Sequence, residues 1–78
     1  MATIARLVDT GPRPVTLTPQ EVNAVQFLAN GYRINEAAAL MFLSPKTVKA
    51  HLLNARRRND ARTSTELVAR AVREGMIR

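Results

Sequence analysis

Apolar residues recur at helical spacing in four blocks of this chain, and each block is bounded by residues that start or stop a helix. The first follows Leu17-Thr18-Pro19-Gln20-Glu21, a capping box with proline at the first helical position and with Leu17 and Val22 spaced for a hydrophobic staple. This pattern predicts a helix from Pro19 to Asn30 that buries Ala24, Val25, Leu28 and Ala29 and stops at Gly31. The second block predicts a helix over 34–42, rich in the good helix formers Glu36, Ala37, Ala38, Ala39, Leu40 and Met41. The third begins at Ser44, an N-cap residue, with Pro45 at the first helical position. Behind that cap Val48, Leu52 and Ala55 form one inward stripe, which leaves Lys46, Lys49, Leu53, Arg56 and Arg57 facing outward. Thr63-Ser64-Thr65-Glu66 reads as a further capping box, and Leu67, Val68, Ala71 and Val72 form the apolar stripe of a last helix before Gly75. Glu66 and Arg70 stand at i, i+4 on it.

The expected fold class is therefore all-α: four helices over residues 17–78, preceded by an irregular arm over 1–16 that holds Gly11, Pro12 and Pro14. Ile4, Leu7 and Val8 in that arm are spaced to pack one turn on the domain. Only Leu43 separates the second helix from the Ser44 cap, so the second and third helices form a tight helix-turn-helix. Phe27, Met41 and Phe42 are assigned to the core. A chain of 78 residues allows a single small core and modest stability.

Charge sharpens the picture. The net charge of +6 lies wholly in residues 45–78, where nine basic residues face Asp60, Glu66 and Glu74; residues 1–44 balance to zero. A localised basic surface on a short rigid helix suits a polyanion, and a DNA major groove above all. There is no cysteine, hence no disulfide framework and no thiolate metal site, and no long apolar run suggests a leader or a membrane span. The expected setting is cytoplasmic. His51 has no second histidine or cysteine to share a metal, and is read as a part-buried residue of the third helix. Tyr32 is read as a surface residue over the turn between the first two helices, with a phosphate contact as the other reading. No nucleophile with a base, no carboxylate pair and no glycine-rich phosphate loop points to an enzyme, and no cofactor is expected.

Residues 17–77 resemble the LuxR/FixJ-type (GerE-like) DNA-binding domain. The resemblance is carried by Leu17-Thr18-Pro19 and Glu21, Leu28-Ala29 with Gly31, Glu36 with Ala38, Leu43-Ser44-Pro45-Lys46-Thr47-Val48-Lys49, His51-Leu52, Asn54, and Thr65-Glu66-Leu67-Val68-Ala69-Arg70-Ala71. It implies a homodimer on double-stranded DNA, with helix 45–58 in the major groove and the fourth helix, through Val68 and Val72, at the dimer interface. In that docking mode Lys49, Ala50 and Leu53 are the expected base contacts. Lys46, Thr47, Asn54, Arg57 and Arg58 are the expected phosphate contacts. Leu53 is equally open to a core role.

Three departures from the family pattern stand out. Arg58-Asn59-Asp60 replaces a Lys-Leu-Gly-like run, so a core leucine is lost or its position rearranged. Arg33 replaces a capping residue before the second helix, with Asn35 where a basic residue is common, so that helix is expected to fray or shift its start. Leu53 replaces a polar or basic side chain, which turns base preference there toward a thymine methyl. A rival reading is a protein-interaction module that binds RNA polymerase or forms mixed dimers with a related regulator. The short arm before Leu17, where such regulators carry a sensory domain, favours that rival. The initiating Met1 favours a complete chain, and Arg6 or Arg13 is a candidate minor-groove contact.

Overall fold

The computed structural model describes residues 14–78. The expected contacts of Ile4, Leu7, Val8, Arg6 and Arg13 lie outside these residues. Four helices follow an extended entry segment: α1 (Pro19–Ala29), α2 (Ile34–Leu40), α3 (Pro45–Arg58) and α4 (Ser64–Arg73). No strand occurs among the described residues. The all-α expectation holds, with α1 one residue and α2 two residues shorter than the pattern suggests. None of these helices is long and apolar enough to cross a membrane.

Helix starts follow local chemistry. Thr18 Oγ1 accepts the Glu21 N–H at 3.2 Å and Glu21 Oε1 accepts the Thr18 N–H at 2.9 Å, a complete capping box. Ser44 Oγ accepts the Thr47 N–H at 3.1 Å. At α4 the box is half made: Thr63 Oγ1 accepts the Glu66 N–H, whereas Glu66 Oε1 takes the Arg62 N–H one residue earlier than expected. α2 begins at Ile34, where the pattern put it and not frayed or shifted: Glu36 Oε1 accepts the Arg33 N–H at 2.8 Å, in place of a side-chain cap from Arg33 itself.

All four helices end the same way. The residue two past each helix is left-handed, and its N–H and that of its successor return to the last turn in the Schellman pattern. Gly31 (φ 93°) and Gly75 (φ 73°) fill that position after α1 and α4 at no steric cost. After α2 it is Phe42 (φ 59°) and after α3 Asp60 (φ 56°). Aspartate tolerates this region, but a phenylalanine there carries strain of about 1–2 kcal/mol.

The core is built from Ala24 and Val25 of α1, Ala38 of α2, Val48, Leu52 and Ala55 of α3, and Leu67 and Ala71 of α4. Ala37 is also buried, and these small α2 residues let α3 pack closely on α2 as well as on α1. Leu17, Val22, Leu28 and Ala29 close the core from its edge. Three core members lie outside the expected helices: Val15, in the expected arm, Ala61, in the turn between α3 and α4, and Ile77, beyond α4.

Side-chain amides pin both ends of the described chain. Asn59, 6% exposed, accepts the Thr16 N–H at 2.7 Å and donates to the Thr16 carbonyl at 2.9 Å and the Ala55 carbonyl at 2.8 Å. Gln26 pairs with Arg78 in the same manner, accepting its N–H at 3.0 Å and donating to its carbonyl at 2.8 Å. Val15 N–H adds a bond to Glu74 Oε1. Asn59 thus holds a buried place at the middle of the Arg58-Asn59-Asp60 departure, and a hydrogen-bonded clamp stands where a leucine is expected. Of the three residues assigned to the core, Phe27 and Met41 are half-buried. Phe42 is 94% exposed, because its left-handed backbone turns the ring away from the domain.

Candidate nucleic-acid interface

The candidate surface is the outer face of α3. Its inner stripe of Val48, Leu52 and Ala55 is fully packed, which fixes the rotation of the helix and leaves the opposite face free. Lys46, Lys49, Ala50, Asn54 and Arg57 are exposed, and Leu53 is 39% exposed, more open than a core role requires. Thr47 is half-buried, its hydroxyl 2.9 Å from Ser44 Oγ and its N–H on the same oxygen, so it completes the start of the helix. Lys46, Lys49 and Arg57 make no ion pair among the described residues. Three uncompensated cations therefore flank two small or apolar side chains along about three turns of a rigid helix.

Two neighbouring arginines are engaged within the domain, Arg58 although its side chain is 38% exposed. Arg58 grips the Glu21 carboxylate with both terminal nitrogens, one of them at 2.9 Å, and also donates to the Thr16 carbonyl at 3.2 Å. The Arg58 guanidinium holds the Glu21 carboxyl below the usual carboxylate range, against the upward push of burial, with the Thr18 N–H assisting. The same pair raises the Arg58 pKa. Arg58, expected on a phosphate, is thus turned back on the domain. Arg56, expected outward, is half-buried and bonds the Arg62 carbonyl across the turn between α3 and α4.

Other expected residues fall as follows. His51 is half-buried on α3. No group of three His, Cys, Asp or Glu side chains able to hold a metal occurs among the described residues. Tyr32 is exposed and meets Phe27 edge to face, with ring centroids 5.4 Å apart. On α4, Leu67 and Ala71 are buried, Val68 is half-buried and Val72 is 45% exposed. Arg70, four residues on from Glu66, is buried: it donates to the Asn59 carbonyl at 2.6 Å and lies 3.8 Å from Glu66. Nothing in the local sequence marks Arg70, Asn59 or Val15 as interior, since their partners come from distant parts of the chain.

Comparison with known proteins agrees with this geometry. Residues 15–71 match the family model for bacterial regulatory proteins of the luxR family. The chain is 37% identical over 70 residues to the HTH-type quorum sensing-dependent transcriptional regulator RpaR of Rhodopseudomonas palustris, covering 86% of this chain and 29% of that protein. It is also 37% identical over 60 residues to the uncharacterized response regulatory protein YgeK of Escherichia coli, covering 77% of this chain and 41% of that protein. The chain therefore spans less than half the length of the curated relatives it matches. No solved structure gives a significant match. A four-helix fold with a tight α2–α3 turn, a basic free face on α3 and a family match that runs across all of these elements place the chain in one group: it belongs to the luxR family of bacterial regulatory proteins.

Proposed function

We propose that this chain is a sequence-specific, DNA-binding transcriptional regulator that binds a two-fold symmetric site as a homodimer, with α3 in the major groove. The observation that carries the reading is the outer face of α3, where Lys46, Lys49 and Arg57 stand free around Ala50 and Leu53 while the inner stripe is locked in the core. Lys49, Ala50 and Leu53 read base edges, Lys49 by hydrogen bonds to a guanine and Leu53 by apolar contact with a thymine methyl. Lys46, Thr47, Asn54 and Arg57 contact phosphates and set register. Arg58, held by Glu21, is left out of that set. Val68 and Val72 on α4 supply the dimer contact, and no chemistry of catalysis is assigned to any residue.

Selection of bound duplexes from a random pool tests this reading, followed by affinity for the winner and for scrambled DNA at two salt concentrations. The expected result is a palindrome with half-site centres about one helical turn, or a multiple of it, apart and bound at least about a thousandfold more tightly than scrambled DNA. Lys49→Ala should then relax sequence preference, whereas Arg57→Ala should lower affinity for all duplexes nearly equally. Salt-sensitive binding with no enriched motif would overturn the reading in favour of a module that pairs with a related regulator or RNA polymerase.

A further inference from the structure

Phe42 combines a feature that opposes folding with one that contributes nothing to it. Its ring is 94% exposed, and its backbone lies at φ 59°, where a β-carbon crowds the chain. Neither feature serves the turn. The bonds that end α2, from Phe42 N–H to the Ala39 carbonyl and from Leu43 N–H to the Ala38 carbonyl, involve only backbone and would be made equally by a glycine. No packing within the described domain uses the ring, so a use outside the domain is the physical reason to carry it.

Its position says what that use is. Phe42 stands two residues before the Ser44 N-cap and three before Pro45, the first residue of α3. Three residues span at most about 11 Å, less than the roughly 12 Å width of a major groove. A helix that docks by its N-terminal turns therefore brings Phe42 to the groove wall. Ser44 and Lys46, two and four residues further along the chain, are both exposed, and Leu40, two residues before Phe42, is 50% exposed. Between successive phosphates, that wall presents the C–H faces of deoxyribose, which an aromatic ring covers without a charge.

We infer that Phe42 is a DNA-backbone contact whose ring lies on the deoxyribose edge of the strand bordering the groove that α3 enters. This rests on the DNA-binding reading above. Because sugars carry no sequence information, the contact adds affinity without preference.

Three variants of the full chain, compared by thermal melting and by titration of the selected and scrambled duplexes, test the inference. Phe42→Gly should raise Tm by about 4–8 °C by relieving the left-handed strain, and yet weaken both duplexes by about five- to tenfold. Phe42→Ala, which keeps the β-carbon, should show the same loss of affinity without the gain in Tm. Phe42→Tyr should bind within about twofold of the parent. Unchanged affinity of the glycine and alanine variants, with the parent binding normally, would overturn the contact and turn the ring toward a protein partner. If the parent itself fails to bind duplex DNA, the underlying reading falls as well.

Discussion

Glu21 shows how one side chain sets both local and long-range structure. Its carboxylate accepts the Thr18 N–H that begins α1 and at the same time receives Arg58 from the end of α3, 37 residues away. Because Arg58 lowers the Glu21 pKa, the folded state favours the ionised form over the unfolded chain, whose glutamate titrates near 4.3. The stabilisation is complete above that value and is lost as pH falls through the lower, folded value. The difference in stability between the parent and Glu21→Gln should therefore be constant from neutrality to about pH 5 and shrink as acid is added below about pH 4, since Arg58 stays charged throughout. Denaturant titrations at a series of pH values measure this directly. A gap that stays constant down to pH 3 would mean that the ion pair contributes nothing beyond the shape of the side chain.

Among the elements, α4 has the clearest division between a packed and a free face. Leu67 and Ala71 are fully buried, whereas Val72 is 45% exposed and Val68 lies at the margin. Val72→Glu should thus leave the monomer fold intact, with unchanged far-ultraviolet circular dichroism and a Tm within a few degrees of the parent, because surface changes stay within about 0.5 kcal/mol. If α4 forms the dimer contact, the same variant should sediment as a monomer and lose most of its affinity for a symmetric site while keeping its affinity for a half-site. Leu67→Glu should unfold the domain outright. The elements themselves were legible because their signals are local: Thr18, Ser44 and Thr63 cap, Gly31 and Gly75 stop, and the inward stripe of α3 follows from spacing alone. The ends at Phe42 and Asp60 were not legible, since a left-handed stop without glycine looks like any other residue in sequence. The free face of α3 was readable by the same periodicity, but the capture of Arg58 was not, because its partner sits in another helix.

Across the whole molecule, the positive charge concentrates in residues 45–78, yet its arginines do unequal work. Arg70 holds the Asn59 carbonyl from within, Arg56 ties α3 to the turn after it, and Arg58 closes the entry segment against α1. The clamp around Asn59 joins residues 43 positions apart and the one at Gln26 joins residues 52 apart, so a small core is supplemented by polar stitches at both ends of the described chain. On the α3 face the cations free to reach a polyanion are consequently Lys46, Lys49 and Arg57, while Arg62, Arg73 and Arg78 are exposed elsewhere. Counterion release makes this measurable, because the slope of log K against log salt falls by about 0.9 for every phosphate contact removed. Lys46→Ala and Arg57→Ala should each reduce the slope by about 0.9 per protomer, whereas Arg58→Ala should leave the slope near the parent value although it weakens the fold. An equal loss of slope at Arg58 would show that DNA pulls this arginine away from Glu21, and the grip on the entry segment would then open whenever the domain binds.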